Sequence, residues 1–281
     1  MKRVSALRLD TIRLSLSDRD MEILRTLAAY RLATGEQLRR LHFTGHASTT
    51  SAARSALRVL SRLYGLRLVD RLERRIGGVH AGSAGYVWHL ASAGRRLLAR
   101  ESPDGAGLPR VAAIEPTERT VAHTLAVSEV GVRLDELAQA RRLDVIECVP
   151  EPAAWRYYLN AGGGRSVLKP DLWAVTALPG GDAEDLWFIE VDMGREPIAT
   201  VLRKAEQYET YRRTGVEQQA QGMFPRVVWL CMGRDGVKRA GHIAAALWRT
   251  GEQSGRVDPG AHWAVTLDEF IETIATKRGP R

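Results

Sequence analysis

At 281 residues the chain is long enough for two domains, each able to bury a core of its own. Its longest apolar runs, such as "VVWLCM" (227 to 232), fall far short of the roughly 20 residues that span a bilayer. Met1-Lys2-Arg3 leads into no signal-type apolar segment, so a cytoplasmic protein with no membrane partner is expected. Cys148 and Cys231 are the only cysteines, which excludes a disulfide framework and a thiolate zinc site and leaves two buried thiols as the expectation. The net charge of +8 is unevenly spread: residues 1 to 100 hold 19 Lys and Arg against 7 Asp and Glu, a balance of +12, whereas residues 101 to 281 hold 22 against 26, a balance of −4. A basic block of that size with helical periodicity is the electrostatic footprint of a polyanion binder.

"SLSDRDMEILRTLAAY" opens with Ser17 and Asp20 in capping-box spacing, and Met21, Leu24, Leu27 and Ala28 follow as one apolar stripe. A second cap, Thr34 with Gln37, starts a short helix carrying Leu38 and Leu41. A third helix spans roughly 48 to 64, where Ala53, Leu57, Leu60 and Tyr64 recur at the spacing of a buried stripe. Arg54, Arg58 and Arg62 recur at four-residue steps on an adjacent face. After Gly65, "LRLVDRLE" and "GYVWHLA" read as two strands around the glycine-rich basic tip "RRIGGVHAGSA". Three short helices followed by a hairpin predict a winged helix-turn-helix over residues 1 to 100, with double-stranded DNA as partner. Thr49, Thr50 and Ser51 stand at the start of its recognition helix, Arg54, Arg58 and Arg62 along it, and Arg74, Arg75 and His80 in the wing. The competing reading is that these arginines only solvate an exposed helical face.

"ESPDGAGLPRVAAIEPT" (101 to 117) has the proline and glycine content of a linker. Beyond it the pattern predicts a helix over 118 to 142, strands over 143 to 159, 166 to 178 and 185 to 193, a helix over 197 to 213, a strand over 226 to 232, a helix over 236 to 250 and a strand over 262 to 267. The glycine run "AGGGR" (161 to 165) lacks a phosphate-loop pattern and reads as a hairpin turn. Residues 118 to 281 thus form an α/β domain, and the whole chain joins an α+β unit to an α/β one.

The unusual feature of this second domain is acid inside apolar strands. In "LWFIEVDMGREP" the alternation of a strand puts Phe188, Glu190 and Asp192 on one face and Trp187, Ile189 and Val191 on the other, and "LKPDLW" brings Asp171 to the end of a neighbouring run. Carboxylates are costly to bury without partners, and a pair of them suits a hard divalent cation such as Mg²⁺ or Mn²⁺. The bland reading is a turn residue at Asp171 and a loop cap at Asp192. Lysine is scarce, with five in the chain. Two of them, Lys169 and Lys204, lie close in sequence to the acids, and Tyr208 follows Lys204 by one helical turn. Glu129 is a further acid, on the helix that opens the domain.

A helix, then "KPDLW", then "FIEVD", then a helix with "KAEQY" resembles the PD-(D/E)xK nuclease core, the fold of many restriction endonucleases. The resemblance implies that Asp171 and Glu190 bind Mg²⁺ or Mn²⁺. It also implies a lysine two residues after Glu190 to position the attacking water, and there this chain has Asp192. Lys204 or Lys169 would then have to supply the cation, with Glu129 and Tyr208 as accessory groups. The whole chain is more specifically similar to the replication-relaxation family of plasmid and mobile-element proteins. "SDRDMEILRTLAAYRLATGEQL", "YVWHLASAGRRLL", "HTLAVSEVGVRL", "KPDLW" and "EVDMGREP" match in order across most of residues 15 to 215. That resemblance implies work in DNA replication or relaxation, with a second copy or a replication protein as a further partner. Two functions are compatible with these residues. One is a metal-dependent nickase or endonuclease brought to DNA by its winged helix, with Asp171, Glu190, Asp192 and Lys204 as its site. The other is a non-enzymatic replication or transcription factor whose nuclease-like domain is a scaffold.

Overall fold

The computed structural model describes residues 4–72, 85–101, 117–160 and 162–276. It divides into two compact units, Met1–Val132 and Arg133–Arg281. Residues 102–116 of the expected linker and residues 73–84 of the expected wing, with Arg74, Arg75 and His80, lie outside the described residues.

The first unit contains α1 (Ala6–Leu14), α2 (Asp18–Tyr30), β1 (Leu32–Thr34), α3 (Gly35–His42), α4 (Thr49–Gly65), β2 (Val69–Arg71), β3 (Val87–Leu90), α5 (Ser92–Glu101) and α6 (Glu118–Gln139) as far as Val132. Both predicted capping boxes form: Ser17 with Asp20 at the start of α2, and Thr34 with Gln37 at the start of α3. Each satisfies amide groups that the first turn of a helix leaves without partners. A third box, Ser48 with Ser51, starts α4. The strands form an antiparallel sheet in the order β1-β3-β2, so β1 completes the hairpin of β2 and β3. Met21, Leu24 and Leu27 of α2 and Leu38 of α3 pack into one core with Ala52, Ala56, Leu60 and Leu63 of α4. At the base of the hairpin the Arg71 guanidinium stacks over Tyr86 at 4.1 Å and Tyr64 at 5.0 Å. Gly131 of α6 lies so close to Tyr30 that an added Cβ would stand 2.0 Å from its hydroxyl, so a larger residue there would have to displace the Tyr30 ring.

The second unit contains β4 (Asp144–Pro150), β5 (Arg156–Leu159), β6 (Arg165–Leu168), β7 (Leu172–Ala177), β8 (Glu184–Asp192), α7 (Ile198–Arg212), α8 (Val216–Gln221), β9 (Arg226–Cys231), α9 (Gly236–Ser254), β10 (His262–Thr266) and α10 (Leu267–Ile274). Five strands form a mixed sheet in the order β10-β9-β8-β7-β4. The β4/β7 and β7/β8 pairs are antiparallel, and β8/β9 and β9/β10 are parallel. Parallel neighbours need a crossover, and α7 and α9 lie in the two crossovers. The two long strands expected over 143 to 159 and 166 to 178 are each broken in two, and their inner halves leave the sheet as the β5/β6 hairpin. The breaks fall at prolines, Pro150 and Pro152 in one and Pro170 in the other, where the missing amide proton stops a ladder. Every residue of β7 is buried, and so are the last seven of β8, as expected of central strands covered on both faces. Alternation along β8 holds. Phe188 packs against Tyr208 of α7 on one face, and Trp187 packs against Phe270 of α10 on the other.

Candidate functional site

The three acids occupy the ends of β7 and β8, where buried strands run out toward loops. Asp171 precedes β7, and one of its carboxylate oxygens accepts the Val191 amide of β8 at 2.7 Å. Glu190, 3 % exposed, points to the α7 side. Both of its oxygens are occupied: Lys204 donates to Oε2 and the Tyr208 hydroxyl donates to Oε1. Lys204 and Tyr208 are one turn apart on α7, as their spacing predicts, so a single helix face delivers an ammonium and a hydroxyl to one carboxylate. Lys204 therefore stands where Glu190 is, although it lies 14 residues further along the chain.

Burial pushes the Glu190 carboxyl up to about 7 against the opposing pull of the Lys204 ammonium, and the charge of Asp171 adds to the rise. On Lys204 burial acts to lower the pKa, but the surrounding carboxylates, Glu190 and Asp171 and then Glu151, outweigh it and raise the pKa. The two directions agree: more than one carboxylate shares a single ammonium, so protons are favoured on acid and base alike. Glu151, which the sequence does not single out, lies beside these acids. It follows β4, its amide donates to the Asp171 carbonyl at 2.9 Å, and a carboxylate oxygen of each lies within 4.8 Å of the other. Its only sequence signal was the proline-rich end of a strand.

Asp192 is differently placed. Arg239 of α9 donates to both of its oxygens, at 3.1 and 2.7 Å, and the Gly194 amide donates to Oδ1 at 2.6 Å. The acid at the expected lysine position is thus neutralised by an arginine brought in by the second crossover helix. Lys169 is exposed and lies over the Trp155 ring at 4.5 Å. Glu129 belongs to the first unit, where Arg40 donates to it at 2.6 Å and Gln37 at 3.0 Å; it ties α6 to α3. Asp171 and Glu151 bring carboxylate oxygens within 4.8 Å of one another, and carboxylate oxygen is the donor type that hard divalent cations take.

On the first unit, the buried stripe of α4 differs from the predicted one. Ala52, Ala56, Leu60 and Leu63 are buried, whereas Ala53, Leu57 and Tyr64 are exposed. Leu60 is common to both stripes; the helix is turned slightly about its axis, so two alanines face the core and Leu57 faces out. Thr49, Thr50, Arg54 and Arg58 are exposed. Among the described residues neither Arg54 nor Arg58 has a carboxylate partner; Arg58 reaches Ser55 at 3.3 Å. The Ser51 hydroxyl is used in the cap of its own helix. Arg62 donates to Asp20 of α2 at 2.6 Å, and Asp20 is 1 % exposed.

No described helix is long and apolar enough to cross a membrane. Comparison with curated proteins gives no match, and neither does comparison with solved structures. A family model described as replication-relaxation matches residues 24–227, from within α2 of the first unit to the start of β9 in the second. The chain belongs to the replication-relaxation family.

Proposed function

We propose that this is a DNA-binding protein acting in the replication or relaxation of a mobile DNA element. In this reading a winged helix-turn-helix holds duplex DNA, and a PD-(D/E)xK-like unit cuts one strand with the aid of Mg²⁺ or Mn²⁺. The element order α2, α3, α4 and a three-stranded antiparallel sheet, with the exposed Arg54 and Arg58, supports the first part. One observation carries the second: Lys204 reaches Glu190 beside Asp171, so two acids and a lysine share one place even though Asp192 stands in the lysine's usual position.

Asp171 and Glu190 would hold the ion, with Glu151 beside them. When bound, the ion neutralises charge on the phosphate and favours ionisation of water. The protein's own groups do the rest. Lys204 offsets the surplus negative charge that a phosphodiester must approach and can orient a water by hydrogen bonding. Tyr208 fixes the Glu190 side chain from the buried side. Arg239 removes the Asp192 charge from the balance.

A second reading, the non-enzymatic scaffold, draws on the fact that Lys204 and Tyr208 already use both Glu190 oxygens. Thermal melting separates the two. A ligand that binds only the folded state stabilises it by mass action, so Mg²⁺ or Mn²⁺ should raise the melting temperature of the wild type and not that of Asp171→Ala or Glu190→Ala. If metal changes nothing and Lys204→Met simply destabilises, Lys204 is a structural counter-ion and the scaffold reading holds.

A further inference from the structure

Two parallel rows of residues run along the outward side of α4. Arg54 and Arg58 form one, and Ala53 and Leu57, also four residues apart, form the other. Leu57 is 57 % exposed and lies outside the core built from Ala52, Ala56, Leu60 and Leu63. Single exposed leucines are ordinary on protein surfaces. What distinguishes this one is its place on the helix whose flanking exposed charges, Arg54 and Arg58, are both cationic and without a carboxylate partner among the described residues. A helix face that presents guanidinium groups beside methyl groups matches the major-groove edge of a duplex. There, phosphates and guanine take the cations, and the C5 methyl of thymine is the one apolar group on offer.

Resting on the reading that the first unit binds duplex DNA through α4, we infer that Leu57, with Ala53 beside it, is a specificity residue that contacts a thymine methyl. Arg54 and Arg58 supply the affinity around it. The exposed charge of these arginines favours a polyanion as the occupant of this face over a second copy of the chain, which would bring like charge to like.

The test uses the full-length protein and a duplex site selected from random DNA. Each thymine of the site is replaced in turn by deoxyuridine, which removes the methyl and leaves base pairing intact. The wild type should lose about fourfold in affinity at one or two positions, the worth of one buried methyl group, and Leu57→Ala should bind the thymine and uracil duplexes equally while melting at the wild-type temperature. A wild type indifferent to uracil at every position, a selected site without thymine, or a Leu57→Ala protein that still discriminates would each overturn the assignment while leaving DNA binding itself standing. A wild-type dimer that Leu57→Ala converts to monomer would assign the face to a second copy instead. Failure to bind any duplex, even at low salt, would overturn the assignment together with the DNA-binding reading beneath it.

Discussion

Arg239 holds Asp192 by two hydrogen bonds, at 2.7 and 3.1 Å, across 47 residues of sequence. The Arg239 pKa is raised, chiefly by its hydrogen bonding to Asp192, and Asp192 is 7 % exposed, so this carboxylate depends on its partner for solvation. Arg239→Met should destabilise the second unit by about 3 kcal/mol, because it leaves a buried charge unpaired. Adding Asp192→Asn should recover much of the loss. Urea unfolding of the single and double variants measures both, and an unchanged midpoint for Arg239→Met would show that Asp192 does not depend on Arg239.

The arginines of α4 should separate by function. Arg62 neutralises the buried Asp20, whose pKa burial acts to raise but whose hydrogen bonds from Arg62 and Ser17 bring below the usual range. Arg62→Ala should therefore lower the stability of the first unit by about 1 to 3 kcal/mol. Arg54→Ala should leave melting unchanged and weaken DNA binding, by about 1 to 3 kcal/mol on a selected site if it reads a base. Arg75→Ala, in the segment expected from the sequence to form the wing, should weaken all sequences alike. Gel shifts across a salt series, with log K falling by about 0.9 for each phosphate neutralised, together with melting curves, distinguish the three.

His262 gives the second unit a built-in acid sensitivity. Burial lowers its pKa from 6.5 to about 4, and the Trp229 indole donates to its Nδ1 at 3.3 Å. Since the folded state disfavours the proton, the unfolded state binds more protons between those values. Stability is complete above about pH 6.5 and falls as the pH drops toward 4, by up to about 3 kcal/mol. His262→Gln should lower stability at neutral pH yet flatten that decline; a decline of unchanged slope would place the sensitivity elsewhere.

The local features of this fold were legible in the sequence because they depend on neighbours in the chain. Ser17 with Asp20 and Thr34 with Gln37 cap as their spacing says, and Glu190 and Asp192 share a face as alternation requires. The orientation of α4 was not legible in full. Alanine weighs little in a hydrophobic pattern, so Leu57 and Tyr64 outscored Ala52 and Ala56, although close packing against α2 and α3 favours the smaller side chains. Lys204 was readable only as a scarce residue on a helix face shared with Tyr208. That it meets Glu190, and that Arg239 meets Asp192, follows from crossovers that return distant helices to the same strand, which no local pattern encodes. Glu151 was missed because it becomes part of the site only when the strand breaks at Pro150 and Pro152.

The most direct test of the account is cleavage of supercoiled plasmid by the purified full-length protein, followed by the appearance of the nicked circle with Mg²⁺ or Mn²⁺ present and with chelator in its place. The account predicts metal-dependent nicking by the wild type, its loss in Asp171→Ala, Glu190→Ala and Lys204→Met, and unchanged DNA binding by the same variants in gel shifts. Plasmid that stays supercoiled under every metal condition while the wild type binds it tightly would contradict a cutting role for the Asp171, Glu190 and Lys204 set.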